Sequence, residues 1–264
     1  MDYGLSTINI MKQIPNLFTL LNLLCGCLAI VMVMQTGLTM AYSSNGETIV
    51  EIPEQMQWAS VLLAVAAIID FCDGFFARLL KVPSDMGKQL DSLADVVSFG
   101  VVPRLIAWQF LRLSVAQEVD GLDTSMVWIL PAFILPCAGA YRLARFNIDT
   151  TQQHGFKGVP IPAAGLLLAS FPLIYWNTQE TWVITLLLNK WIWYAIIVLV
   201  SYLMVSTLPM LALKFTQLTF QKLFPFLLMA VIAVITAFLW GWLSVPVTFI
   251  AYVVLSLLLK QKES

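Results

Sequence analysis

Long apolar runs, separated by short polar segments, dominate the chain. They fall at residues 14–36, 57–80, 92–114, 126–146, 160–176, 191–211, 224–241 and 243–259. Most are close to the ~20 residues that a helix needs to cross a bilayer, and a helix is expected because backbone polar groups in a membrane must be satisfied within the segment. The pattern predicts an all-α polytopic helical bundle with about eight transmembrane helices. The last two runs, joined at Gly241 with almost no loop, predict a helical hairpin.

The charges between the runs predict the orientation. In segments 37–56 and 115–125 all charged residues are acidic, whereas basic residues lie in the alternate segments and at the C-terminus. Those bases are Arg78, Lys81, Lys88, Arg142, Arg145, Lys157, Lys214, Lys222, Lys260 and Lys262. Under the positive-inside rule we expect both termini and these basic segments to face the cytoplasm. The expected location is the inner membrane of the cell. Lys190 is the one base on the opposite side.

Composition excludes several classes of protein. Hydrophobic residues make up 60% of the 264 positions and charged residues only 11%, against about 25% in soluble domains. A soluble globule, a disordered chain and a nucleic-acid binder with a basic patch are therefore not expected. The first run is too long for a cleavable signal peptide and lacks its small-residue cleavage site, so we expect it to be a retained span.

Acidic residues cluster on two helical faces. Five of the 15 acidic residues lie between positions 70 and 95, and charges at membrane depth are costly and usually functional. One face, about 140° wide, contains Asp70, Asp73, Gly74, Ala77 and Arg78. On the next helix Gly87, Asp91 and Asp95 follow at intervals of four residues. A solvated helix end explains Asp85, but it requires neither a shared face nor glycines on that face.

Four converging carboxylates predict a site for two divalent cations. Such carboxylates repel one another unless cations lie between them, and Mg²⁺ and Mn²⁺ prefer oxygen ligands. Pairs of these ions about 4 Å apart are typical of phosphoryl transfer. The small residues leave room for a ligand, and Arg78 can bind phosphate oxygens. We therefore expect a di-metal site that receives a diphosphate at the cytoplasmic membrane surface.

The spacing of these residues resembles a family signature. The CDP-alcohol phosphatidyltransferase family carries D-x2-D-G-x2-A-R-x8-G-x3-D-x3-D, and every fixed position is filled here from Asp70 to Asp95. A pattern with so many constrained positions is specific. The resemblance implies a catalytic membrane core of six helices, assigned to residues 1–212, and a C-terminal two-helix membrane extension at 213–264.

Four flanking stretches are similar to the bacterial and archaeal membrane-integral branch of this family that forms phosphatidylserine. They are IPNLFTLLNLLCG (14–26), QLDSLADVVSFGVVP (89–103), YRLARFN (141–147) and FKGVPIPAAG (156–165). The resemblance implies transfer of the phosphatidyl group from CDP-diacylglycerol to the hydroxyl of L-serine, giving phosphatidylserine and CMP. It also implies Mg²⁺ or Mn²⁺ and a homodimer. The same chemistry with glycerol phosphate or inositol phosphate as acceptor is the alternative, followed by a cation transporter.

The resemblance also implies roles for single residues. Asp70, Asp73, Asp91 and Asp95 correspond to the metal ligands, with Asp91 and Asp95 as catalytic residues and Asp95 as the general base. The expected CDP pocket consists of Gly74, Ala77, Arg78, Gly87, Asn16 and Thr19. Either a single in-line displacement or a phosphatidyl-enzyme intermediate fits these residues; we expect the single displacement, because no activated nucleophile stands out in the sequence.

Polar residues on two other runs have competing interpretations. Asn16, Thr19 and Asn22 recur along the first run, where they could join helices or contact the nucleotide; the resemblance favours nucleotide contacts for the first two. Arg142, Arg145 and Asn147 end the fourth run. Their bases could set topology, or the three residues could bind the serine carboxylate or the lipid phosphate, as the resemblance favours.

Overall fold

The structure, a computed structural model, describes residues 3–35, 39–42, 48–80, 84–118, 125–149, 156–211 and 220–260. Its α-helices are α1 (Tyr3–Met34), α2 (Met56–Leu79), α3 (Asp85–Asp95), α4 (Val102–Ala116), α5 (Ile134–Ile148), α6 (Ile161–Asn177), α7 (Thr181–Leu187), α8 (Lys190–Val205), α9 (Phe220–Trp240) and α10 (Ser244–Lys260). A π-helical segment (Val96–Val101) joins α3 to α4, and 3₁₀ segments precede α5 (Met126–Phe133) and α10 (Gly241–Leu243). Two short antiparallel pairs complete the described residues: β1 (Thr39–Tyr42) with β2 (Thr48–Glu51), and β3 (Phe156–Lys157) with β4 (Pro209–Met210).

The predicted all-α membrane bundle is confirmed. In the described residues, four apolar helical stretches are long enough to cross a membrane, namely Gln13–Met34, Met56–Leu79, Met126–Ile148 and Leu223–Leu259. The pair α7 and α8, bent by 69°, is a further candidate, and α6 is a shorter apolar helix. The predicted span at 92–114 is divided by the π-helical segment. The count of eight crossings therefore stays a prediction.

Helix α4 lies at the centre of the bundle and explains why the core holds together. The side chains of Ile106, Phe110 and Leu113 on this helix are fully buried. The ring of Phe110 stacks on that of Trp193 in α8, with the ring centroids 4.6 Å apart. Gln109 ties α4 to α1, because its Nε2 donates to the carbonyl of Val33 at 2.9 Å. A helix buried over most of its surface fixes the positions of its neighbours, and α4 continues directly from the helix that carries Asp91 and Asp95.

The C-terminal helices dock on the core. The Tyr252 hydroxyl of α10 donates to the carbonyl of Leu211 at 3.3 Å, and Ser256 Oγ accepts from the Leu211 amide at 3.2 Å. Gly241 between α9 and α10 has a φ of 57°, in the left-handed region that favours glycine. The proposed boundary at residues 212 and 213 lies outside the described residues, as do Lys81, Lys214 and Lys262.

Lys190, the base that contradicts the charge rule, is paired. Its Nζ lies 2.6 Å from Glu118 Oε1, and the rings of Trp128 and Trp191 lie 5.9 Å from it. The ion pair gives Lys190 a local structural role at the start of α8.

Candidate active site

Three carboxylates converge between α2 and α3. One oxygen each from Asp70, Asp91 and Asp95 lies within 4.8 Å of the other two. Asp95 is only 7% exposed, and the other two are half-buried. Oxygens at this spacing, with little water between them, can surround a hard divalent cation. Convergence of these three acids, predicted from the two helical faces, is thus observed in the structure.

Asp73 lies beside this group and is held from α1. The hydroxyl of Thr19 donates to Asp73 Oδ2 at 2.7 Å, and both side chains are almost fully buried. Asp73 also interacts electrostatically with Asp70 and Asp91. The fourth predicted ligand is therefore close to the other three, while one of its oxygens is committed to Thr19.

Asn22, which was not among the predicted site residues, contacts two of the acids. Its Nδ2 lies 3.4 Å from Asp70 Oδ1 and 3.5 Å from Asp95 Oδ1. Its side chain is completely buried. The polar side of α1, visible in the sequence as residues three apart, thus runs along the acidic centre. The three-residue spacing of Asn16, Thr19 and Asn22 was the sequence signal that pointed to Asn22 as part of this polar face.

The small residues of the signature have different surroundings. A Cβ on Gly87 would lie 2.9 Å from Ser84 Oγ and 3.0 Å from Asn16 Oδ1, so glycine lets the start of α3 approach α1. A Cβ on Gly74 would meet only the guanidinium of Arg78, at 3.6 Å, which is an ordinary contact. Ala77 is half-buried and Arg78 exposed. Of the two glycines, Gly74 is therefore the one that has open space beside it for a ligand.

Local sequence explains where α3 begins and where its helical register changes. Ser84 caps the helix, since its Oγ accepts from the Gly87 amide at 3.0 Å. After Asp95 the helix widens to a π-helical segment, in which the Val102 amide bonds to the Val97 carbonyl. Pro103 has no N–H to offer the Phe99 carbonyl, which favours this change. The segment changes the helical register directly beyond Asp95.

Burial and mutual repulsion affect ionisation at the centre. Burial, followed by the neighbouring charge of Asp70, raises the pKa of Asp91 to about 7. A carboxylate in this setting is stabilised as an anion when a cation is close. Binding of divalent cations would therefore release protons from the cluster.

Among the three predicted residues at the end of α5, Arg142 faces the acidic centre. It is 6% exposed, interacts electrostatically with Asp95, and lies over the ring of Phe146 at 5.3 Å. Tyr252 of α10 also interacts with it electrostatically. The approach of a C-terminal residue to Arg142 could not be read from the sequence, because no pattern links residues 110 positions apart.

Arg145 and Asn147 are bound to the protein itself. Arg145 donates to the carbonyls of Val205 at 2.6 Å, Ser206 at 2.9 Å and Lys157 at 3.3 Å, which ties α5 to the end of α8. Asn147 Nδ2 donates to Ser92 Oγ at 2.8 Å, which ties α5 to α3. These contacts connect α5 to its neighbours near the site, and the predicted substrate-binding role of the two residues stays a prediction.

Comparison with known proteins places the chain in a family. The family model described as CDP-alcohol phosphatidyltransferase matches residues 12–192, which include the whole acidic centre and α5. A CDP-diacylglycerol–serine O-phosphatidyltransferase of Bacillus subtilis is 32% identical over 165 residues, 62% of this chain and 78% of that protein. The Helicobacter pylori (strain ATCC 700392 / 26695) protein of the same name is 34% identical over 163 residues, 61% of this chain and 57% of its own.

A third relative has a different name. The archaetidylserine synthase of Methanothermobacter thermautotrophicus is 31% identical over 140 residues, 52% of this chain and 56% of that protein. The chain thus spans little more than half the length of this relative and of the Helicobacter protein. These matches confirm the predicted resemblance and the prediction of an enzyme of the CDP-alcohol type.

Proposed function

The chain belongs to the CDP-alcohol phosphatidyltransferase family, and we propose that it transfers the phosphatidyl group of CDP-diacylglycerol to the hydroxyl of L-serine. The products are phosphatidylserine and CMP. The convergence of Asp70, Asp91 and Asp95 within 4.8 Å is the observation that carries this proposal. The similarity to the serine O-phosphatidyltransferases of Bacillus and Helicobacter supports serine as the acceptor.

The acidic centre fits two divalent cations, Mg²⁺ or Mn²⁺. All four acids offer oxygen donors, the type these ions prefer, and two such ions balance four carboxylate charges. Asp70, Asp73, Asp91 and Asp95 would hold them. When bound, the ions supply charge neutralisation for the diphosphate and for the leaving CMP.

In this proposal Asp95 accepts the proton of the attacking hydroxyl, and Asp91 beside it is the second catalytic residue. The serine oxygen forms a bond to the phosphorus that carries diacylglycerol. The bond from that phosphorus to the CMP oxygen breaks, and CMP leaves with the electron pair. A carboxylate near cations is a weak base, so the proton moves as the hydroxyl attacks. The reaction is a single in-line displacement.

The substrates enter from two sides of the acids. Gly74, Ala77, Arg78, Gly87, Asn16 and Thr19 form the CDP side, where exposed Arg78 is available to the diphosphate. On the acceptor side we assign the serine carboxylate or lipid phosphate to Arg142, which faces Asp95. Arg145 and Asn147, first grouped with Arg142, keep this end of α5 in place.

An acceptor screen with CDP-diacylglycerol tests the proposal. The purified full chain is given Mn²⁺ and, in separate reactions, labelled serine, glycerol phosphate or inositol phosphate, and CMP release is measured. Serine should give the fastest release, and Asp95→Asn should give none with any acceptor. Release with another alcohol but not with serine would move the protein to a different branch of the family.

A cation transporter is the competing function from another class. Acids on a transport path recur near mid-membrane on several helices, whereas here all four acids lie on two consecutive helices, α2 and α3. Cation flux into proteoliposomes, with no transferase activity, would favour the transporter. We further propose an inner-membrane location with both termini and the site cytoplasmic, and a homodimer.

A further inference from the structure

Asn22 of α1 is the buried polar residue at the acidic centre to which the expected roles assign nothing. Its side chain is fully enclosed, and its Nδ2 reaches Asp70 Oδ1 at 3.4 Å and Asp95 Oδ1 at 3.5 Å. One amide group thus contacts acids from two different helices, α2 and α3. A side-chain amide nitrogen carries two hydrogens, so it can serve both carboxylates at once.

The backbone of Asn22 is itself fixed. Ser98, in the π-helical segment, donates from its Oγ to the Asn22 carbonyl at 3.1 Å. One turn further along α1, a Cβ on Gly26 would lie 3.0 Å from the Ser98 Cα, so the two segments are in close contact there. The amide therefore projects from a rigid junction of α1 with the helix that carries Asp95.

The orientation of the amide follows from its neighbours. Rotating it by 180° would turn its oxygen toward two carboxylates, which repel it, so the acids select the donor orientation. In this orientation Asn22 Oδ1 is buried and has no hydrogen-bond partner among the described residues. A buried unpaired acceptor is costly, which is a reason to look for a functional gain from this arrangement.

We propose that Asn22 is a positioning residue that holds Asp70 and Asp95 at the separation and rotation required to bind divalent cations. The inference rests on the proposed function, since it concerns the same centre. Each acid uses one oxygen for the amide and retains the other for a cation. Without the amide, the two carboxylates are free to turn apart under their mutual repulsion, and cation affinity falls.

A buried amide that merely joins helices provides the matched control. Gln109 of α4 is 1% exposed, and among the described residues its side chain hydrogen-bonds to the Val33 carbonyl of α1 at 2.9 Å and to Arg112 at 3.3 Å, and to no acid. Replacing it with Met removes a buried amide contact to the same helix, α1. If Asn22 only joins helices, Asn22→Leu and Gln109→Met should behave alike.

The experiment measures Mn²⁺ binding to the detergent-solubilised full chain without substrate, by calorimetry and by the Mn²⁺-dependent rise in melting temperature. Partners that orient metal ligands change affinity by about 10–100-fold when removed. We expect Asn22→Leu and Asn22→Ala to raise the Mn²⁺ concentration for half-saturation by that factor. Gln109→Met should lower the melting temperature without Mn²⁺ and leave the half-saturation concentration within about twofold of wild type.

The outcomes separate this inference from the proposed function. If wild type itself binds no Mn²⁺, the di-metal site fails. If wild type binds and a folded Asn22→Ala protein binds equally well, only the inference on Asn22 is overturned. Because Leu could prevent folding, Ala is the deciding variant, with a monodisperse elution profile as the test of folding. Equal weakening by Gln109→Met would likewise overturn the positioning role.

Discussion

The acidic centre and the basic end of α5 were both predicted as parts of one site, yet the structure uses them differently. At the centre, Asp70, Asp91 and Asp95 converge within 4.8 Å. At the end of α5, Arg142 faces Asp95 while Arg145 binds three backbone carbonyls and Asn147 binds Ser92. One predicted group stays together and the other divides.

Electrostatics explains the difference. Buried carboxylates that approach one another repel, so their convergence favours either protonation or a nearby cation, and the proposed function assigns cations to it. An arginine has five donors that carbonyl oxygens can satisfy at low cost, so a base near a site is as useful for joining helices as for binding substrate. In this chain the contacts of Arg145 thus have a structural explanation that the converging acids lack.

The largest expected effect comes from breaking the acidic centre. Asp95→Asn keeps the shape of the side chain but removes its charge and its capacity to take a proton. We expect CMP release to fall by at least 10²–10⁴-fold, the range attributed to a general base, with the protein still eluting as a folded species. Exposed Asp85 at the start of α3 is the matched control, and Asp85→Asn should retain near-normal turnover. Comparable turnover in the Asp95 and Asp85 variants would contradict the di-metal proposal.

The second prediction separates the two arginines. Arg142→Lys keeps the charge but loses the planar guanidinium, so the KM for serine should rise by about tenfold or more while the melting temperature changes little. Arg145→Lys loses donors to backbone carbonyls, and hydrogen bonds from charged groups contribute about 1.5–3 kcal/mol each. Its main effect should therefore be on the melting temperature, with the KM for serine near wild type.

Paired kinetics and thermal unfolding of the two arginine variants check this separation. An increase in the KM for serine in both variants would restore Arg145 to the acceptor side. Loss of stability alone in both would remove Arg142 from it.

Much of the site was predictable from sequence because the signature residues obey helical periodicity. Asp91 and Asp95 are four residues apart, about one helical turn, so they share one face of α3. The site then requires only that this face meets the acidic face of α2. The role of Asn22 was harder to assign, because a polar residue on an apolar helix fits helix packing and ligand binding equally well. Contacts such as Tyr252 with Arg142 depend on how α10 docks, which no local pattern encodes.

The positions of the helices were also predictable from local sequence patterns, whereas irregular segments were not. Apolar runs located the helices to within a few residues at most ends, as for Met56–Leu79 against the predicted 57–80. The π-helical segment after Asp95 was not predicted. Its signal is weak, a glycine and Pro103 within an apolar run, and a proline is equally compatible with an ordinary kink.

The smallest expected effect comes from loosening the connection between the two regions. Ser92→Ala removes the hydroxyl that accepts from Asn147 at 2.8 Å and donates to the Lys88 carbonyl within α3 at 3.1 Å, while Lys88 Nζ continues to donate to the Asn147 carbonyl at 3.0 Å. Each net hydrogen bond contributes about 0.5–1.5 kcal/mol to the free energy of unfolding, so the melting temperature should fall by a few degrees and turnover by less than twofold.

Ser170 is the matched control for Ser92, because among the described residues its hydroxyl donates only to the Leu167 carbonyl within α6. Ser170→Ala removes a buried hydroxyl without separating two helices. A drop in melting temperature that is larger for Ser92→Ala than for Ser170→Ala would assign the difference to the α3–α5 connection. A large loss of turnover in Ser92→Ala would instead mean that the basic end of α5 controls the position of Asp91, and the two regions would then act as one unit.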